Sequence, residues 1–477
     1  MGRPSPSICA RRSTAAASSS TSREPFEFWI DQGGTFTDLI ARLPDGSLRT
    51  AKVLSGEGSV LRGIRSVLEG EGAIAKGNPL LPCSVKLGTT LATNALLERR
   101  GARVLLVTST GLGDVFVIGT QERPDLFALH IEKPSPLHER TLELRGRVAA
   151  DGELVSPLDE NAARAALSAA RREGVDSVAI AMLHGHAFPE HEARLEALAI
   201  EAGFAHVAVS HRVDRELGFL ARGETTIADA YLTPVLRRHV DALASELPGS
   251  RLRFMQSSGG LTDGARFRGP AALLSGPAGG GVAAGRIARA AGFDQGVGFD
   301  MGGTSTDVCL LEGGEVERSF ETTLGGIHVR APMLRIHTVA AGGGSLCRFD
   351  GFRLTVGPES AGAEPGPLCY ARRGSDGARL ARELTLTDAN LFLGRLPGDR
   401  FPFPLAREPV ERALAELETR LHGAGFPSTR EEIAAGFLEV ANAGMAEAIR
   451  QVSVVRGVDP RGCALVGFGG AAGQHLC

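Results

Sequence analysis

The chain has 477 residues, 43% of them hydrophobic and 22% charged, with 52 basic against 55 acidic side chains. That is a globular composition, long enough for two or three domains, and its net charge of −3 offers no basic face to a nucleic acid. No run nears the roughly 18 apolar residues of a membrane span, and seven cysteines without a CxxC pair argue against a disulfide framework or zinc ribbon and for a reducing cytoplasm.

Residues 1–25 hold seven serines, four arginines and no acid before Glu24, as an organelle transit peptide does. Arginine, however, supplies 48 of the 52 basic residues of the whole chain, so a disordered tail is the expectation. Regular pattern starts at residue 26. An apolar run (26–30) meets Asp31-Gln-Gly-Gly-Thr-Phe-Thr-Asp38; a second run (39–40), a turn at Asp45-Gly46 and a third segment (50–53) follow. This reads as strand, glycine loop, strand, turn, strand. A strand is then expected at 85–87, a helix at 91–99, a strand at 104–108 and a proline-rich loop from Pro124 to Pro136. A helix at 160–172, a buried strand at 175–183 and a helix at 189–202 complete an alternation typical of α/β layers. A boundary is expected near Glu216, dividing 26–215 from 216–477.

Past that boundary the opening pattern returns. An apolar run (297–299) meets Asp300-Met-Gly-Gly-Thr-Ser-Thr-Asp307, identical to the first motif at six of eight positions, followed by 308–311, Gly313-Gly314 and 316–320. A match of motif and context together means a duplicated domain. A glycine- and proline-rich stretch covers 342–367 and a long helix 431–450. A strand at 464–466 feeds a glycine turn that ordinarily continues into a helix, so the chain reads as incomplete at Cys477.

A Gly-Gly turn lets backbone N–H groups approach a phosphate with no Cβ in the way. Threonines 35, 37, 304 and 306 add hydroxyls, and the leading carboxylates suit hydrated Mg²⁺. Two such hairpins face to face would clamp a nucleotide's β- and γ-phosphates. Rival motifs are weaker. No Gly-Lys dipeptide exists for a Walker loop. Gly279-x-Gly281-x-x-Ala284 follows Pro277 rather than a strand, and Gly467-x-Gly469-x-x-Ala472 has no acid downstream.

The two DxGGTxTD loops resemble the phosphate motifs of the actin, hexokinase and heat-shock ATPase superfamily. More narrowly, the chain resembles the ATP-dependent 5-oxoprolinase and hydantoinase A family. The resemblance rests on GTTLATNALLERRGARV (88–104), IGTQERPDLF (118–127), SSGGL (257–261), LLSGPAGG (273–280), HTVAAGGGS (337–345), VGPESAGAEPGPLCY (356–370), LTDANLFLGRL (386–396) and VGFGGAAGQH (466–475). IGTQERPDLF, ARGETTIADAYL (221–232) and the final GGAAGQH lean toward 5-oxoprolinase rather than the N-methylhydantoin or acetone-carboxylating branches. The implied fold is α/β, with duplicated actin/hexokinase/heat-shock-ATPase-like (ribonuclease H-like) domains around a central nucleotide cleft. The implied activity is ATP-dependent opening of a cyclic amide, with this chain as the ATP half. A hydrolytic, hydantoinase B-type half lies on a separate subunit or a continuation of the polypeptide, within a homo- or hetero-oligomer. A heat-shock-like ATPase switch is the alternative from another class; a nicotinamide dehydrogenase is a distant third.

Residue by residue, Asp31, Gly33, Gly34, Thr35 and Thr37 match the first phosphate loop, and Asp300, Gly302, Gly303, Thr304 and Thr306 the second. Asp31 and Asp300 are the candidates for Mg²⁺ or its waters, with Asp38 and Asp307 bracing their loops. Gly467, Gly469 and Gly470 match the adenosine turn. Gly342, Gly343, Gly344 and Ser345 form a donor-rich turn that either touches phosphate or is a structural bend. Thr89, Thr90 and Asn94 meet substrate or cap a helix. Arg123 and Asp125 meet a substrate carboxylate and ring N–H, or form a solvated loop pair. His337 is a candidate acid or base, with a core histidine as the alternative. His184, His186, Glu190 and His191 fit a metal cluster only by count, and Cys347 and Cys369 read as buried thiols. Arg335 stands where many relatives carry an acid, so no role is inherited there.

Overall fold

The computed structural model describes residues 26–34, 36–120, 127–131, 133–374, 377–397, 401 and 403–476. Strands β1 (Glu27–Gln32), β2 (Phe36–Arg42) and β3 (Leu48–Leu54) form an antiparallel meander. Its alternation turns Phe28, Ile30, Leu39 and Ala41 inward. Helix α1 (Ser59–Gly70) covers that face with Val60, Ile64, Val67 and Leu68, spaced four, three and one apart. Strand β4 (Ser84–Thr89) lies parallel to β1 and leads into α2 (Leu91–Leu97).

A second sheet follows. Strand β5 (Val104–Ser109), a short helix α3 (Val115–Ile118) and β6 (Arg140–Leu144) precede a small hairpin, β7 (Arg147–Val148) with β8 (Leu154–Ser156). Helix α4 (Glu160–Arg172) starts where the Asp159 side chain accepts from the Ala162 N–H. Then come β9 (Ser177–Ala181), α5 (Glu190–Glu201), β10 (His206–Val209) and α6 (Ser210–Val213). The order β10-β9-β5-β6 is all parallel, and β5 and β9 are buried at every position, as strands covered on both faces must be.

The 28-residue α7 (Phe219–Glu246) packs on the second sheet, shares a core with the first, and is buried at every position from Thr225 to Thr233. Strands β11 (Arg251–Met255) and β12 (Leu261–Asp263) rejoin the first sheet, whose order is β12-β11-β4-β1-β2-β3. Helix α7, β11 and α8 (Gly269–Ala272), all past Glu216, contribute to the first hydrophobic core.

Helix α9 (Ser275–Ala290) packs on β4 and β11 of the first lobe and on β13 and β14 of the second. There β13 (Gln295–Met301), β14 (Thr306–Glu312) and a two-residue β15 (Glu315–Val316) repeat the first meander. The third strand expected at 316–320 is cut short because the chain leaves to form a separate hairpin, β16 (Arg318–Leu324) with β17 (Ile327–Leu334). Val329, Ala331 and Met333 of that hairpin enter the first lobe's core. Strand β18 (His337–Val339) takes the vacated edge of β14. Hairpin β19 (Ser345–Phe349) with β20 (Leu354–Ser360) and helices α10 (Leu386–Phe392), α11 (Glu408–Gly423) and α12 (Arg430–Val452) build the second core. Strand β21 (Ala464–Phe468) closes the sheet, parallel to β13 as β4 is to β1. No helix among the described residues is long and apolar enough to cross a membrane.

Candidate functional site

Each glycine loop is the turn of a hairpin with the same internal bond. Gly33 N–H donates to the Phe36 carbonyl (3.1 Å) and Gly302 N–H to the Ser305 carbonyl (3.0 Å). The two turns face one another. Asp31, Gly33, Gly34 and Asp38 line one cavity of about 190 Å³ with Asp300, Gly302, Gly303, Thr304 and Asp307. Phe36, Ser305, Gly276 and Pro277 from the start of α9, Thr90, Lys52, Gly469 and Gly470 complete its walls.

Charge is the cavity's dominant feature. Asp31 sits directly across from Asp38 in the first hairpin, and Asp300 across from Asp307 in the second. Like charges in that relation repel. Burial, then the neighbouring carboxylates Asp307 and Asp31, push Asp300 up to about 7. Burial above all lifts Asp31 to about 6, with Asp38 adding to it, and Asp307 to about 6 against a hydrogen bond from Thr338. Lys52 is the nearby cation, its Nζ 2.6 and 2.8 Å from the two oxygens of Asp38. Hard carboxylate oxygens in such excess fit Mg²⁺, which takes one or two of them together with waters and phosphate oxygens. Among the described residues no three His, Cys, Asp or Glu groups form a metal cage on their own.

Several expected residues have other work. Thr37 falls on the inward face of β2 with Leu39 and Ala41; its hydroxyl lies 2.9 Å from Ser59 Oγ and 3.0 Å from Ser55 Oγ. Thr306, its counterpart, is equally buried and donates to the Ala341 carbonyl. Neither faces the cavity, because strand alternation turns the residue before each second aspartate into the core. The turn at 342–345 spends its donors internally. Gly343 N–H donates to the Gly302 carbonyl (3.0 Å), Gly344 N–H to Gly303 (2.7 Å) and Gly342 N–H to Ser345 Oγ (2.9 Å). It braces the second loop. His337 is exposed on β18 and lines none of these walls. Gly467 pairs with Phe299 inside β21 and packs on Leu476. Gly469 and Gly470 do reach the cavity; Gly469 has φ +93°, and a Cβ there would run into Asp300 and the Met301 carbonyl.

Two larger pockets adjoin the cavity through different residues. One of about 480 Å³ shares Phe36, Lys52, Gly303 and Gly470 with it and is walled by Gly343, Gly344, Tyr370, Arg395, Phe401 and Gln474. The Gln474 Oε1 is buried there without a hydrogen-bond partner. The other, of about 470 Å³, shares Gly33, Gly34 and Thr90 and continues over Thr89 and Asn94. Thr89 Oγ1 donates to Gln32 Oε1 (3.1 Å), and Thr90, at the start of α2, makes no side-chain cap. Thr35, Arg123 and Asp125 lie outside the described residues.

The histidine cluster does not assemble: among the described residues it forms no metal group, and His184 Nδ1 is 2.8 Å from the Val148 carbonyl. Burial drives the Cys347 and Cys369 thiols far up, away from any thiolate chemistry. Lys52 and the aromatic wall carried no motif. The available signal was composition: Lys52 is one of only four lysines beside 48 arginines, and it falls in the third strand of the repeat.

The chain matches the hydantoinase/oxoprolinase family model over residues 222–477, and the model of that family's N-terminal region over 27–203. It is 38% identical to a 5-oxoprolinase of Saccharomyces cerevisiae, over 94% of this chain and 38% of that one. A 5-oxoprolinase of Arabidopsis thaliana is likewise 38% identical, so the chain spans about two fifths of these relatives' length. The crystal structure of an ATP-dependent caprolactamase from Pseudomonas jessenii superposes with a TM-score of 0.73 at 34% identity, covering 94% of this chain and 66% of that one. A nucleotide-free acetone carboxylase, at 24% identity and TM-score 0.78 over 95% of this chain and 66% of its own, shares the fold. The architecture is the actin-like ATPase type: two related α/β lobes around a cleft.

Proposed function

The chain belongs to the hydantoinase/oxoprolinase family, and from that premise we propose that it is the ATP-binding, lactam-phosphorylating half of an ATP-dependent cyclic amidohydrolase, with 5-oxo-L-proline as substrate and L-glutamate as final product. One observation carries the reading: both Asp-x-Gly-Gly hairpins line a single acidic cavity. Gly34 and Gly303 bring backbone N–H groups to phosphate oxygens from the two loops, while the Gly33 and Gly302 N–H groups hold the loops' own turns, and Thr304 and Lys52 add a hydroxyl and a cation. Asp31 and Asp300 hold Mg²⁺ or its waters. Bound in the cleft, Mg·ATP supplies the phosphoryl group that turns an amide oxygen into a leaving group and makes ring opening favourable. The chain's own contribution is alignment and neutralisation of charge. Gly470, Tyr370, Phe401 and Gln474 take the nucleoside, the Gln474 Oε1 offering an acceptor to the base.

The 5-oxoprolinase relatives support 5-oxoproline over a hydantoin, a neutral lactam or ketone carboxylation. Hydrolysis is completed by a hydantoinase B-type half, as a continuation of the polypeptide or a second subunit. The described cysteines, all free, suit a cytoplasmic setting. ADP release by the complete enzyme, measured with 5-oxoproline, hydantoin, 2-pyrrolidone and no substrate, tests this. Stimulation is expected to be greatest with 5-oxoproline. Stimulation by hydantoin alone moves the substrate within the family, and a rate indifferent to all three favours the ATPase-switch alternative.

A further inference from the structure

The pocket of about 470 Å³ behind the first glycine loop holds none of the second loop's groups, yet it shares Gly33, Gly34 and Thr90 with the acidic cavity. It opens from the cavity through a different set of residues than the nucleoside pocket, which shares Phe36, Lys52, Gly303 and Gly470. Phosphoryl transfer is in line, so acceptor and leaving group approach the phosphorus from opposite sides. A pocket that meets the cavity through Gly33, Gly34 and Thr90, none of which the nucleoside pocket shares, is therefore a place for the acceptor. Its volume is within the roughly 300–1,000 Å³ of small-molecule sites.

The lining chemistry narrows the ligand. From α7 come Arg238 and His239. Arg238 has no hydrogen bond or ion pair among the described residues, and Glu57, the acid of the lining, is not paired with it. His239 Nε2 is buried with no partner, and burial holds that ring below its ordinary pKa, hence neutral. Asn94 Nδ2 donates to Thr90 Oγ1 (3.3 Å), which orients the amide; its Oδ1 remains as an acceptor at the wall. Val60, Leu61, Leu91 and Leu243 supply apolar surface. One unpaired guanidinium, one oriented amide and an apolar floor match a small ring that carries an amide edge and a carboxylate.

We propose that this pocket binds the acceptor, a five-membered lactam bearing a carboxylate, with Arg238 reading the carboxylate and Asn94 the ring amide; the assignment rests on the phosphoryl-transfer reading above. Arg238 is thereby the residue that separates an acidic lactam from a neutral one.

The test uses the full chain with Mg²⁺ and a non-hydrolysable ATP analogue, titrated calorimetrically with 5-oxoproline and with 2-pyrrolidone, the same ring without the carboxylate. Arg238→Met should weaken 5-oxoproline roughly 10- to 100-fold, the worth of a charge-assisted contact, and leave 2-pyrrolidone and the analogue within about twofold. Asn94→Leu should weaken both lactams and spare the analogue. Unchanged 5-oxoproline binding in Arg238→Met, or an equal loss for both lactams, would overturn the assignment. Competition by inorganic phosphate as strong as that by 5-oxoproline would make the pocket a general anion site and overturn it too. Failure of the wild-type chain to bind the analogue strikes the phosphoryl-transfer reading itself and is told apart by that readout.

Discussion

Four carboxylates face each other across the cleft, and their proton affinities carry a stability consequence. Asp300 is held up to about 7, and Asp31 and Asp307 to about 6, against about 4 for an exposed aspartate. Between pH 4 and 7 the folded chain thus keeps protons that the unfolded chain has released. Stability contributed by these groups is greatest at the acid end and falls as pH rises through 6 and 7. Asp300→Asn removes part of that pH-dependent loss. Its melting temperature should rise relative to wild type, with a gap that is small at pH 5 and larger at pH 8. Mg·nucleotide should narrow the gap by supplying positive charge. A difference independent of pH would refute the electrostatic account. The same substitution should lower lactam-stimulated ADP release roughly a hundredfold or more, because it removes a charge placed for the metal.

At the scale of elements, the repeat was legible because glycine, threonine and aspartate recur in one order within matched strand contexts. The facing of the two hairpins follows from that duplication. Less of the site was legible where one residue serves two masters. Thr37 and Thr306 belong to the motif by type, yet alternation along β2 and β14 buries their hydroxyls. The turn at 342–345 looks like a phosphate cradle in one dimension, while in three it is stacked against the second loop. Lys52 and Arg238 announce nothing locally, since each acquires meaning only from what lies across a sheet or pocket. The brace at Gly342 makes a distinct prediction. A Cβ there would stand 2.6 Å from Thr304 N and 2.7 Å from the Gly303 carbonyl carbon, backbone that must shift. Gly342→Ala should therefore cost tenfold or more in nucleotide affinity by moving the second loop. Thr306→Val should instead cost stability, about 1–3 kcal/mol, by leaving the Ala341 carbonyl unpaired. Equal effects of the two on nucleotide affinity, measured by analogue binding, would contradict the division of labour.

At the scale of the whole molecule, a helix and a hairpin among the described residues tie the lobes. Helix α9 lies against both sheets, and the β16–β17 hairpin sends Val329, Ala331 and Met333 from the second lobe into the core of the first. Such a joint restricts large opening, and each hairpin's carboxylates repel the other's across the gap. A ligand carrying Mg²⁺ and phosphates reverses that repulsion and draws on both lobes at once. Binding at a hundredfold excess over Kd should add about 2.7 kcal/mol to stability. Hydrogen exchange should slow at both glycine hairpins in the same titration, at one midpoint, and withholding Mg²⁺ should abolish most of the effect at each. Met333→Ala, a buried truncation expected to cost about 2–5 kcal/mol, should loosen the coupling without touching the cavity. It would separate the two midpoints while leaving both hairpins able to respond. Protection confined to one hairpin in the wild-type chain would mean that the lobes bind separately, and the clamp would lose its physical basis.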